Sequence, residues 1–119
     1  MKSKQKLRHI NDVVSAFVRE MNARDRKKWN KYDNNVHQAL FDGQQQYPTE
    51  LGDFHFEQPL RGNTRKPYSP HLESQFAVFE AEGVLRTKFG EYEIIDISKL
   101  PESTIRIREV AKYICDRLV

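Results

Sequence analysis

Apolar residues recur at helical spacing over the first part of the chain: Leu7, Ile10, Val14, Phe17 and Met21, with Val13 and Val18 widening the stripe. The spacing predicts an amphipathic helix over about residues 5–27. Trp29, Tyr32, Val36 and Leu40 continue in steps of three and four. A second helix, or an extension of the first, is therefore expected to run to about Phe41, where Asp42-Gly43 offers a stop.

The next segment has another character. Residues 42–69 hold three of the five Gly and three of the five Pro. Only Asp53-Phe54-His55-Phe56-Glu57 alternates like a strand. An irregular connection is expected here, and long ones in compact domains tend to carry function or be disordered. Regularity returns at Ser69-Pro70, which reads as an N-cap followed by proline at the first helical position. Leu72, Phe76 and Phe79 then share one face, and Gly83 can close the helix in a left-handed cap. Val84 to Ile97, folded about Phe89-Gly90, predicts a β-hairpin whose tight turn takes a positive φ from Gly90. Leu100-Pro101 breaks the strand. Ser103 or Thr104 can cap a last helix with Ile107, Val110, Ile114 and Leu118 on one side.

Together these elements predict one α+β domain over 1–119. A helical basic part (1–41) is followed by an irregular loop (42–69). A helix–hairpin–helix part (70–119) comes last, with an antiparallel sheet of three strands at most. Leu, Ile, Val and Phe make about a quarter of the 119 residues, enough for a small core. A single Cys leaves no disulfide framework within the chain and fits a reducing compartment. No apolar run reaches the roughly 18–20 residues of a membrane span. The charged start, Met1 to Lys6, followed by Arg8, His9, Asn11 and Asp12, does not read as a secretory signal. A cytoplasmic protein is the expectation.

Charge adds an asymmetry. Residues 1–31 hold ten of the 20 Lys and Arg but only three of the 17 Asp and Glu. A phosphate backbone or an acidic partner is the natural complement. Arg26, Lys27 and Lys28 are candidates for it, as are Arg61, Arg65 and Lys66 in the turn-prone stretch 61–67.

Catalytic signatures are sparse. The sequence has no Gly-rich phosphate loop and no C-x-x-C, and the four His at 9, 37, 55 and 71 form no H-x-x-x-H pair. Asp53, His55 and His71 are the one set that a fold could gather into an acid–base or metal cluster. Cys115 falls near an apolar stripe and reads as a buried small hydrophobe. No enzyme, metal or cofactor is expected.

The stretch Ser74-Gln-Phe-Ala-Val-Phe-Glu-Ala-Glu-Gly83-Val-Leu-Arg-Thr-Lys-Phe-Gly90-Glu-Tyr-Glu-Ile-Ile-Asp-Ile-Ser-Lys-Leu100 resembles the end of a winged-helix DNA-binding domain. In that family a recognition helix leaves through an E-x-E-G exit into a two-stranded wing. The resemblance implies a recognition helix over 70–82. His71, Glu73, Ser74 and Gln75 in its first turns would meet base edges. Arg86 and Lys88 on the wing would meet phosphates. The same helix carries Glu73, Glu80 and Glu82 and no Lys or Arg. A second likeness, of Phe89–Ile94 and Thr104–Ile114 to the final third of acyl carrier proteins, departs from them at the modified serine. Their D-S-L motif is replaced by Leu72-Glu73-Ser74-Gln75.

Two functions are therefore open from the sequence. One is a non-enzymatic, winged-helix-like domain that contacts nucleic acid through a basic surface. The alternative is a protein–protein adaptor, inhibitor or immunity-type protein that uses the aromatic and Pro-rich loop 47–68, through Tyr47, Phe54, Phe56 and Tyr68. Ile105 and Ile107 lie beyond the main stripe of the last helix and suggest a homodimer contact.

Overall fold

A computed structural model describes residues 2–32, 34–58, 60–61 and 64–118, with the side chains of 2–9, 60–61 and 64–65 outside the description. The basic side chains of Lys2, Lys4, Lys6 and Arg8, those of Arg61 and Arg65, and residues Gly62 and Asn63 therefore lie outside the description.

The first helix, α1 (Lys2–Ala23), buries Ile10, Val13, Val14, Phe17, Val18 and Met21, the stripe expected from their spacing. It ends four residues early. Asp25 takes a left-handed φ of 58°, and the Arg26 N–H closes back on the Met21 carbonyl at 2.8 Å. This is a Schellman-type stop with Asp where Gly is usual, a substitution Asp tolerates better than most residues.

That stop redirects the next segment. The expected helix through Trp29 and Tyr32 is instead strand β1 (Lys28–Asn30), and helix α2 (Asn35–Gly43) begins only after it. Spacing alone misreads the segment because three residues are too few to show a strand period. Long-range pairing with the hairpin decides their conformation. Gly43 is the last residue of α2 and is not a left-handed stop; packing favours glycine there, since a Cβ would stand 2.7 Å from Leu51 Cδ1.

Residues 42–69 are more ordered than their composition suggests. A short helix, α3 (Pro48–Leu51), buries Leu51 and Glu50, and Glu50 pairs with Arg106 at 2.7 Å. The small ribbon of β2 (Leu60–Arg61) and β3 (Thr64–Arg65) comes next. The alternation at 53–57 gives no strand: Glu57 makes only a single bridge to Tyr68, and Phe54 turns into the core.

The last part agrees closely with the sequence expectation. Ser69 caps α4 (Pro70–Ala81), its Oγ accepting from the Leu72 N–H. Gly83, at φ 79°, ends it. β4 (Leu85–Lys88) and β5 (Glu91–Ile94) form the hairpin, with the second strand ending short of Ile97. Thr104 caps α5 (Ile105–Asp116). The three-stranded antiparallel sheet has the order β1-β5-β4. Its inner face carries Trp29, Leu85, Tyr92 and Ile94 towards α1 and α4, where Phe76 meets Phe17, Trp29 and Tyr92.

Cys115 is fully buried on α5, as expected. Burial pushes its thiol up to about 12, so it remains protonated and unreactive at neutral pH. Ile107 belongs to the core, which leaves only Ile105 of that pair exposed for self-association.

Candidate nucleic-acid interface

The alternation of the three strands puts Lys28, Asn30, Arg86, Lys88, Glu91 and Glu93 on the outer face of the sheet. Strand pairing aligns them in two rows. Lys28, Glu93 and Arg86 stand side by side across β1, β5 and β4, and so do Asn30, Glu91 and Lys88. Cations from the basic N-terminal part thus meet cations of the hairpin on one surface.

The face is not purely basic. Glu93 pairs with both Arg86 and Lys28, the latter at 3.4 Å. The Arg86 guanidinium, and after it the Lys28 ammonium, holds the Glu93 carboxyl below the ordinary carboxylate range. Its depressed pKa makes the sign definite. This row contributes its full stability above the ordinary carboxylate value and loses it as pH falls through the lowered one. Denaturant midpoints measured from neutral to acid pH should accordingly fall less steeply in Glu93→Gln than in the parent.

At the tip the hairpin breaks a local rule. Phe89 and Gly90 both have positive φ, 53° and 75°, as a two-residue type I′ turn requires. Asn, Asp or Gly suits the first of these positions; a bulky aromatic there is strained. Phe89 gains no core packing in return, for it is 92% exposed. Lys88 Nζ lies 5.6 Å from its ring centroid. Phe89→Asn should therefore stabilise the fold by about 1 kcal/mol, raising the melting temperature by a few degrees in a calorimetric scan. An unchanged or lower melting point would contradict the strain.

A second exposed ring stands beside the turn. Tyr32 is 78% exposed, and its ring edge lies 3.4 Å from where a Gly90 Cβ would be. Two hydrogen bonds hold its backbone beside the turn. The Lys31 N–H donates to the Gly90 carbonyl at 2.8 Å, and the Tyr32 N–H donates to Asn30 Oδ1 at 2.8 Å. Lys28, Lys88, Phe89, Glu91 and Glu93 line a cleft of about 120 Å³ at the tip.

The sequence-predicted residues divide. Lys28, Arg86 and Lys88 come together on the sheet, with Lys27 exposed just before β1. Arg26 reaches instead to the Leu118 carbonyl at 3.3 Å. Lys66 is exposed. Of the four α4 residues expected at base edges, only Ser74 is exposed. His71 is half-buried, its Nδ1 accepting from the His55 N–H at 3.4 Å. Gln75 is 9% exposed, so its side chain is not offered to a base edge, contrary to the expectation. Phe89 and Tyr32 have no place among the expected site residues. In the sequence Phe89 reads only as a turn residue and Tyr32 as a helical core position. An aromatic before Gly90 in a type I′ turn is the one sequence signal that marks the tip.

Glu73, also expected near base edges, serves an internal network. The Ser69 N–H donates to His37 Nδ1 at 2.9 Å, which puts the ring proton on Nε2. Nε2 donates to Glu73 Oε1 at 3.0 Å, and the Tyr92 hydroxyl donates to Glu73 Oε2 at 3.4 Å. Burial, and then the Glu73 charge, raises the Tyr92 phenol well above its usual value.

The aromatic loop also turns inward. Phe54 is 2% exposed and belongs to the core, which removes it from any contact patch. Tyr47 packs edge-on against Tyr113 and under the Arg106 guanidinium, Phe56 against Phe41, and Tyr68 stacks on His37. Among the described residues no three His, Cys, Asp or Glu are arranged to hold a metal ion, so Asp53, His55 and His71 do not gather as such a group. Nor is any helix among them long and apolar enough to cross a membrane. No family model, curated protein or solved structure matches the chain.

Proposed function

We propose that the domain binds nucleic acid through the outer face and tip of its sheet, acting as a wing-led, winged-helix-like binding module without catalysis of its own. The observation that carries this reading is the convergence of Lys28 with Arg86 and Lys88, distant in the chain, beside the exposed tip. Lys27 and Lys88 take phosphates, and Lys28 does so by giving up its longer, 3.4 Å pairing with Glu93. Arg86, held to Glu93 through both Nε and Nη2, orders the face.

In this reading α4 braces the wing and does not read a groove. Its buried Gln75, its Glu73 tied to His37, its acidic Glu80 and the capping Glu82 all favour that role over base contact. The adaptor alternative loses support because its aromatic loop spends its rings on internal partners. A cytoplasmic location belongs to the same proposal and is supported by the single, buried, unreactive thiol.

An anisotropy titration against salt tests the function. Log affinity should fall linearly with log salt, by about 0.9 per phosphate contacted on duplex and about 0.7 on a single strand. Lys28→Ala and Lys88→Ala should each lower that slope by about 1 or slightly less. Absence of binding to random single-stranded and duplex DNA at about 50 mM salt and micromolar protein would end the proposal.

A further inference from the structure

We infer that Phe89 and Tyr32 form a stacking platform for an unpaired base, so that the preferred ligand is single-stranded nucleic acid. This rests on the nucleic-acid reading above and narrows it. Three observations converge on the tip. Phe89 and Tyr32 are the two most exposed large apolar side chains among the described residues, and both flank Gly90. The backbone that carries them is set before any ligand arrives, at Phe89 by the two-residue turn and at Tyr32 by the hydrogen bonds to Asn30 and Gly90. Only the two ring rotamers are left to order on binding. Lastly, Lys28 and Lys88 line the cleft beside Phe89, within reach of the phosphates that flank a stacked base.

The chemistry selects a base over a lipid surface. An interfacial anchor needs a broad apolar face with a cationic rim. Here the apolar part is two rings, and the carboxylates of Glu91 and Glu93 share the cleft with Phe89. A carboxylate beside a stacked base can accept from its exocyclic amine. Bases in a duplex are already stacked on each other and cannot lie on a side chain without being unpaired. Single strands have no such cost, and aromatic stacking of this kind accepts any base.

The test uses the full chain, a labelled mixed-sequence single-stranded oligonucleotide and the duplex of the same sequence. The parent should prefer the single strand. Phe89→Asn keeps a turn that suits its φ, so it folds, and it should lower single-strand affinity by about 5- to 100-fold with the salt slope unchanged. Tyr32→Ala should act in the same direction, and Phe89→Trp should retain binding. Equal affinity for duplex and single strand, with Phe89→Asn binding as the parent does, overturns this inference and leaves the phosphate-binding function standing. Failure of the parent to bind either nucleic acid overturns both. Binding to vesicles of anionic phospholipid without binding to the oligonucleotides also overturns both, and assigns the tip to a membrane surface.

Discussion

Replacing Phe76 by alanine should remove about 3–5 kcal/mol of stability. A domain of 119 residues has roughly 6–18 kcal/mol in all, at about 0.05–0.15 kcal/mol per residue. The change thus takes a large share of the total. Phe76 is 2% exposed on α4, with its ring 4.9 Å from Tyr92, 5.7 Å from Trp29 and 6.4 Å from Phe17. It is therefore the common neighbour of β5, β1 and α1. Deleting it leaves a void that no single neighbour can fill, because each is held by a different element. The measurement is a urea titration with the denaturant slope unchanged, monitored by the emission of Trp29, the chain's one Trp, which should shift to the red as its apolar neighbour disappears. Phe76→Leu keeps most of the volume and should recover most of the loss. A loss below about 1 kcal/mol in Phe76→Ala would mean that the aromatic cluster does not tie the sheet to the helices.

His37→Ala should be nearly as damaging, at about 3 kcal/mol, for a different reason. The ring accepts from the buried Ser69 N–H and donates to Glu73, and it stacks on Tyr68 with centroids 5.0 Å apart. Without it a buried N–H has no acceptor and a carboxylate loses its donor. Both errors fall on α4, since Ser69 is its N-cap and Glu73 lies in its first turn. The two residues act as one unit, so the double-mutant cycle of His37→Ala with Glu73→Gln should depart from additivity by about 1 kcal/mol or more. Additive costs would show that the contact between α2 and α4 is incidental.

Features set by neighbours in sequence are legible there. Ser69-Pro70 makes a helix start, Phe89-Gly90 a hairpin turn and Thr104 a cap, because each depends on the conformation of two or three consecutive residues. Trp29 and Tyr32 are not legible in this way. Their spacing suits a helix, yet Asp25 ends α1, and pairing of Lys28–Asn30 with Glu91–Glu93 makes a strand. That pairing joins segments far apart in the chain and leaves no local period. Phe54 misleads because its Gly- and Pro-rich setting suggests exposure, whereas the burial of α3 and Leu51 carries it into the core. The site divides along the same line. Charge marks Lys28, and the winged-helix resemblance marks Arg86 and Lys88, but their alignment, and the neutralising Glu93 between two of them, requires the strand register.

The closing contact of α5 with α1 also governs how the chain reaches this state. Arg24 binds Asp116 at 2.8 Å and Arg26 reaches the Leu118 carbonyl, so α1 is covered by a helix that begins at Ile105, far later in the chain. On a ribosome adding about 5–20 residues per second, on the order of ten seconds separates the two. During that interval the side of α1 that α5 covers, at Ala16, has no lasting neighbour and is open to a holding chaperone until α5 emerges.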